Sequence, residues 1–300
     1  MLWIPITLLA AAFQTARNAF QRGLTGALSP LGATYTRFAF GFPFALLYAA
    51  FVFAHAGVPT PGASFFAWVT LGGIAQILGT VALMQLFRLR SFSTGIAFSK
   101  SEILQVALFG IFVLGDAVSP LAVLAIGVAT AGLVLLSRDS SATSWREVAT
   151  ALSGPSALLG LATGAGYAVA AVSFRAASLS LGDPSFVVSA AATLVAAMGI
   201  QSVLMTGYLR WAEPGQIGVV FDVWQRSLLP GFTGAAASAC WFSAMTIEIA
   251  AYVRMLGLIE VLFGYGVSIF AFRERPSRHE AWGTALLVMA IAALLWDRVG

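Results

Sequence analysis

Two charges two residues apart, Lys100 and Glu102, open an apolar run that reads FSKSEILQVALFG from 98 to 110. Near the centre of a membrane-crossing helix each costs about 2.5–3.5 kcal/mol on insertion scales. Residues kept at that cost bind an opposite charge, move a proton or hold a neighbouring helix. On a continuous helix turning about 100° per residue, Glu102 and Gln105 share a face with Ser101 while Lys100 points away. A simple local ion pair is therefore not expected. Lys100 either snorkels to an interface or meets another helix, or one of the charges faces a water-filled cavity. Glu260 recurs at an equivalent place later in the chain. Glu102 and Glu260, with Ser99 beside the first, are thus candidates for substrate contact, with helix packing as the other role open to them.

The first apolar run carries a second polar group. Gln14, Arg17, Asn18 and Gln21 fall within about 100° of one another on a helical wheel. Lipid cannot satisfy such a stripe, so it is expected to face the bundle interior. Arg17 is suited to a forked, charge-assisted contact with a carboxylate, and equally to holding Glu102 or Glu260. Arg37, Arg175 and Arg254 add further cations within apolar runs. This excess of positive charge suits a substrate with an anionic group. Trp241 stands beside Ser238 in the small-residue run GAAASAC, and Tyr167 lies within GAGYAV. Both rings are candidate pocket walls or simple packing, with Leu83 expected to line the side opposite Trp241. Trp3, Trp211, Trp224, Trp282 and Trp296 lie near run ends, as interfacial belts require.

The elements that position these residues follow from composition. Of 300 residues, 59% are hydrophobic and 9% charged, against roughly a quarter charged in soluble domains. Mean hydropathy is +0.90. The chain reads as an all-α polytopic membrane protein. A single cysteine, Cys240, allows no internal disulfide, and His55 and His279 are too few for a histidine-rich metal site. No cofactor is expected, nor a nucleic-acid partner; the partners are the bilayer and a small molecule, with the oligomeric state left open. Ten runs are long enough to cross, at 2–22, 31–54, 64–87, 92–113, 117–137, 155–180, 184–209, 227–247, 249–272 and 279–296.

Five runs and five more suggest a duplication. A shift of 158, the difference between 260 and 102, also carries Asp116 onto Glu274, Gly73 onto Gly231, Phe112 onto Phe270 and Ser119 onto Ser277. The predicted units are a five-helix repeat over 1–140, a connection over 141–153, and a second repeat over 154–300. An odd number of spans inverts the second repeat. Charges agree: Arg22, Arg88, Arg90, Arg138, Arg146, Arg210, Arg226, Arg273, Arg275 and Arg278 all lie at or beside odd-numbered connections. The positive-inside rule then puts those connections in the cytoplasm and both termini outside.

The corner pattern, LSPL at 28–31, LGDAVSP at 114–120 and FRERPS at 272–277, resembles the EamA repeat of the drug/metabolite transporter superfamily, and the whole chain is similar to its YddG-type amino-acid exporters. The resemblance implies a secondary transporter in the bacterial inner membrane. It would export small metabolites, aromatic or other neutral amino acids above all, by alternating access; drugs or other amphipathic metabolites are the alternative. Ile103 and Val261 follow the two glutamates where that family often has proline, so no proline kink is expected there. An enzyme is not expected: the chain lacks H-E-x-x-H, G-x-S-x-G and a Walker sequence.

Overall fold

The computed structural model describes residues 1–89, 96, 99–136, 154–183, 185–273 and 278–299. Arg90, Arg138, Trp145, Arg146, Glu274, Arg275, Ser277, the Arg278 side chain and the connection 141–153 lie outside the described residues. Every element described is helical. They are α1 (Trp3–Leu24), α2 (Pro30–Ala39), α3 (Phe42–Ala56), α4 (Ala63–Leu89), α5 (Glu102–Phe109) with a π-helical turn at Gly110–Leu114, α6 (Pro120–Leu136), α7 (Pro155–Ser180) and α8 (Phe186–Ala212). There follow α9 (Gln216–Asp222), α10 (Trp224–Ile247), α11 (Ala250–Leu256), α12 (Ile259–Phe270) and α13 (Arg278–Val299).

Local chemistry sets the starts. The Gly32 N–H donates to Ser29 Oγ at 2.9 Å and the Ala122 N–H to Ser119 Oγ at 3.0 Å. In each case a proline follows the capping serine, at a first-turn position whose N–H would have no partner within the helix. Four stretches, Pro30–Ala56, Ala63–Leu89, Pro155–Ser180 and Phe186–Ala212, are long and apolar enough to cross a membrane; shorter apolar helices cover Glu102–Leu114, Pro120–Gly132 and Ala281–Asp297. Large apolar side chains point outward, among them Phe112 (82% exposed) and Phe270 (86%), as expected where lipid is the solvent. This is consistent with a membrane protein.

Three expected spans are not single helices. The second is interrupted at Phe40–Gly41, between α2 and α3, and the ninth at Gly257–Leu258, between α11 and α12. In the fourth, α5 begins only at Glu102, after a turn at Lys100 and Ser101. The connection after α8 also contains a helix, α9. Trp3 is buried rather than interfacial, because it joins the core cluster; Trp211, Trp224, Trp282 and Trp296 are exposed.

The closest packing is α4 on α7, followed by α1 on α10, α6 on α13 and α3 on α8. Small residues permit it: a Cβ placed on Gly166 of α7 would lie 2.7 Å from the Ala75 carbonyl oxygen of α4. Replacing each of the ten spans expected from the sequence by the one five places along the chain converts α4/α7 into α10/α1 and returns the other two pairs to themselves.

Contacts sort the connections to two ends of the bundle. At one end Arg88 donates to the carbonyls of Thr25 (3.4 Å) and Leu28 (3.3 Å), Ser29 bonds Glu213, and the Arg22 guanidinium lies over the Phe272 ring. At the other, Arg175 Nη1 meets Asp116 Oδ1 at 2.8 Å and Arg175 Nε donates to the Met245 carbonyl at 3.0 Å. Ser119 there bonds Asp297, and its N–H donates to the Tyr252 hydroxyl. The first end gathers odd-numbered connections, the second even-numbered ones with the C-terminal helix.

Candidate functional site

Both buried glutamates stand in the first turn of a half-helix, Glu102 in α5 and Glu260 in α12. Free N–H groups and the positive end of the helix dipole favour a carboxylate there. The interruption ahead of each occurs without proline. It also overturns the wheel argument for Lys100, which assumed a continuous helix. From the turn, Lys100 Nζ reaches Glu260 Oε2 at 2.8 Å and Glu102 Oε1 at 3.5 Å. All three side chains are at most 2% exposed. Lys100 neither snorkels nor points away; it ties the two half-helices together.

The rest of this cluster completes Glu260, while Glu102 Oε2 stays buried without a hydrogen-bond partner. Gln14 Nε2 donates to both oxygens of Glu260, at 2.7 and 2.8 Å, while its Oε1 accepts from Trp241 Nε1 at 2.7 Å. Arg254 Nη1 lies 3.7 Å from Glu102 Oε1, and its guanidinium sits 4.4 Å from the centre of the Trp241 ring. Cation–π attraction adds to the charge pairing. Trp241 is thus a strut between α1, α10 and α11 rather than a bare pocket wall. Two cations face two anions, and the cluster is neutral.

A second cluster takes one residue or more from each of five helices. In α1, Arg17 donates through Nε (3.2 Å) and Nη2 (2.6 Å) to Asn18 Oδ1. From α2, Arg37 Nη1 donates to Thr80 Oγ1 at 3.2 Å on α4, and Nη2 to Ser238 Oγ at 3.3 Å on α10. Tyr167 of α7 stands 3.3 Å from Thr80 Oγ1 and places its hydroxyl against Arg17. Both arginine stems run beside Gly234, where an added Cβ would meet Arg37 Cγ at 3.0 Å and Arg17 Cδ at 3.4 Å. The two guanidinium groups are therefore neighbours of like charge. Both residues are at most 2% exposed, yet neither makes an ion pair with a carboxylate among the described residues.

Of the candidates from sequence, Gln14, Glu102, Trp241 and Glu260 meet in the neutral cluster, and Arg17, Asn18, Tyr167 and Ser238 in the arginine cluster. Leu83 is buried in the apolar core, one turn beyond Thr80. The Ser99 hydroxyl donates to the Ile96 carbonyl at 2.7 Å, which serves the turn before α5. Gln21 is spent on the Ala33 carbonyl at 2.7 Å. Arg37, Lys100, Thr80 and Arg254 complete the clusters without having been chosen as site residues. Thr80 was discoverable, since it is the counterpart of Ser238 under the shift of 158.

No protein-family model matches the chain, and no curated protein matches it in sequence. In structure, 27 solved chains match it. One, a crystal structure of a protein, is 17% identical and superposes over 98% of this chain and 96% of its own, with a TM-score of 0.66. At that identity the likeness establishes a shared fold.

Proposed function

We propose that this chain is a secondary transporter of the EamA-repeat type that exports small metabolites bearing an anionic group, amino acids being the class implied by the sequence resemblance. The carrying observation is the buried Arg17–Arg37 pair, ringed by hydroxyl and amide groups from four helices and left without a carboxylate partner among the described residues. Arg17 had been open to an alternative role as the counter-ion of Glu102 or Glu260. Lys100 and Arg254 make the direct ion pairs with the two acids, and Arg17 feels Glu260 only through space, which leaves its donors for a substrate anion.

In this reading ten spans form two inverted repeats, over 1–140 and 154–300, in the bacterial inner membrane. The helix pairing unchanged by exchange of halves supports it. So do interruptions just before Glu102 and Glu260, which correspond to within one residue under the shift of 158. The site lies where the repeats meet, as alternating access about a fixed site requires. Both termini are periplasmic, because the arginine-bearing connections gather at the opposite end. Uptake of a labelled amino-acid panel into liposomes holding the purified protein, with and without a pH gradient, tests the reading. Saturable uptake lost in Arg17→Gln is the expected result. No uptake of any anion-bearing metabolite in either condition would remove the transporter assignment.

A further inference from the structure

Resting on that transporter reading, we infer that the substrate carries two negative charges, one for each of Arg17 and Arg37. Charge counting leads there. Among the described residues six side chains that carry charge in water are buried: Arg17, Arg37, Lys100, Arg254, Glu102 and Glu260. Lys100 and Arg254 neutralise the two glutamates at 2.8–3.7 Å. Two positive charges are left over, side by side.

Among the described residues Glu260 acts on Arg17 through space, but it is already paired with Lys100 and does not offset both charges. Arg37 lies in the last turn of α2, where the carbonyl end of the dipole offsets only a small part of a buried charge's desolvation. Removing an ion from water costs several kcal/mol. Arg17 is in mid-helix and has no such help. The neighbouring oxygens of Asn18, Thr80 and Ser238 are neutral acceptors. Donors also remain: a guanidinium carries five N–H bonds, and Arg37 Nε is buried with no hydrogen-bond partner. A forked anion on each arginine would use them.

The same count disfavours a neutral zwitterion. Its carboxylate would satisfy one arginine and leave the other, while its ammonium would need an acid. Glu260 is already held by Lys100 and Gln14; the charge of Glu102 is shared by Lys100 and Arg254, both at its Oε1, and its buried Oε2, which has no hydrogen-bond partner, is the one acceptor an ammonium would find. The fitting chemistry is a compact dianion, either two carboxylates on a short chain, acidic amino acids included, or a phosphate monoester.

Isothermal titration of the detergent-purified protein with succinate, glycerol phosphate, monomethyl succinate and leucine tests this. A dianion is expected to bind at least about tenfold more tightly than the half-ester or leucine, the equivalent of one added favourable contact of about 1.4 kcal/mol. Which dianion leads separates the dicarboxylate from the phosphate source. Arg37→Gln should erase the preference while sparing the half-ester, and Arg37→Lys, which keeps the charge, should retain much of it. Should Arg37→Gln fail to fold, the comparison of succinate with its half-ester on the unaltered protein decides alone. Equal affinity for those two, or competition by chloride as effective as by succinate at the same ionic strength, overturns the inference. Counterflow in liposomes separates it from the broader reading. Leucine transport unaffected by dianions would sink the two-charge assignment and leave the transporter; dianion binding without transport of anything would do the reverse.

Discussion

Lys100 is the only link of its kind between α5 and α12 in the described network, and its ammonium depends on two acids that differ in distance, Glu260 at 2.8 Å and Glu102 at 3.5 Å. Breaking a buried pair from one side leaves an unpaired charge, whereas removing both partners does not. Glu260→Gln is therefore predicted to cost about 3 kcal/mol, the low end for a broken buried pair because Glu102 still faces the ammonium. Adding Lys100→Met should recover much of that loss. Thermal unfolding in micelles measures both, and additive losses in the double variant would contradict the pairing. Trp241→Phe makes a finer cut. It keeps a ring over Arg254 but deletes the donor to Gln14 Oε1, so a loss of about 1–3 kcal/mol is expected from the stranded acceptor. An unchanged unfolding midpoint would mean that the 2.7 Å bond contributes nothing.

The half-helices share more than their acids. Gly115, after the π-helical turn, and Arg273, after α12, are both left-handed, with φ of 69° and 55°, and they too are 158 residues apart. Glycine bears that conformation at little cost, while a residue with a Cβ is strained by about 1–2 kcal/mol. Arg273→Gly is predicted to raise stability by about 1 kcal/mol and Gly115→Ala to lower it similarly; opposite signs in the unfolding midpoints are the check, and a destabilised Arg273→Gly would refute the strain. This repetition also explains what was legible in the sequence. Glu102 and Glu260, and the excess of cations, follow from residue types in apolar runs, where any charge stands out. The partner of Lys100 was not legible, because a wheel presumes one unbroken helix and the turn at Lys100–Ser101 swings the side chain to the opposite face. Arg37 was visible only as an in-span cation, since its partners on α4 and α10 are brought together by tertiary packing.

At the scale of the molecule, the odd-numbered connections meet at one end through Arg22, Arg88 and Glu213, and the even-numbered ones at the other through Asp116, Arg175 and Asp297. If the arginine-rich end is cytoplasmic, a reporter fused after Gly300 is predicted to read as periplasmic; a cytoplasmic signal would reverse the orientation and spare the fold. The leftover pair of positive charges at the core then has an electrical consequence. Each elementary charge carried through a potential of 100 mV changes in energy by about 2.3 kcal/mol. On the proposed exporter reading, the unloaded protein, with Arg17 and Arg37 bare, would feel that force and be drawn toward the negative interior, the face from which it would collect its cargo. Filled by a dianion, the same core is neutral and crosses without electrical work. Voltage steps on carriers reconstituted without substrate should therefore evoke transient capacitive currents, and saturating dianion should silence them. Currents that persist or grow on loading would mean that the two arginines do not travel as the moving charge.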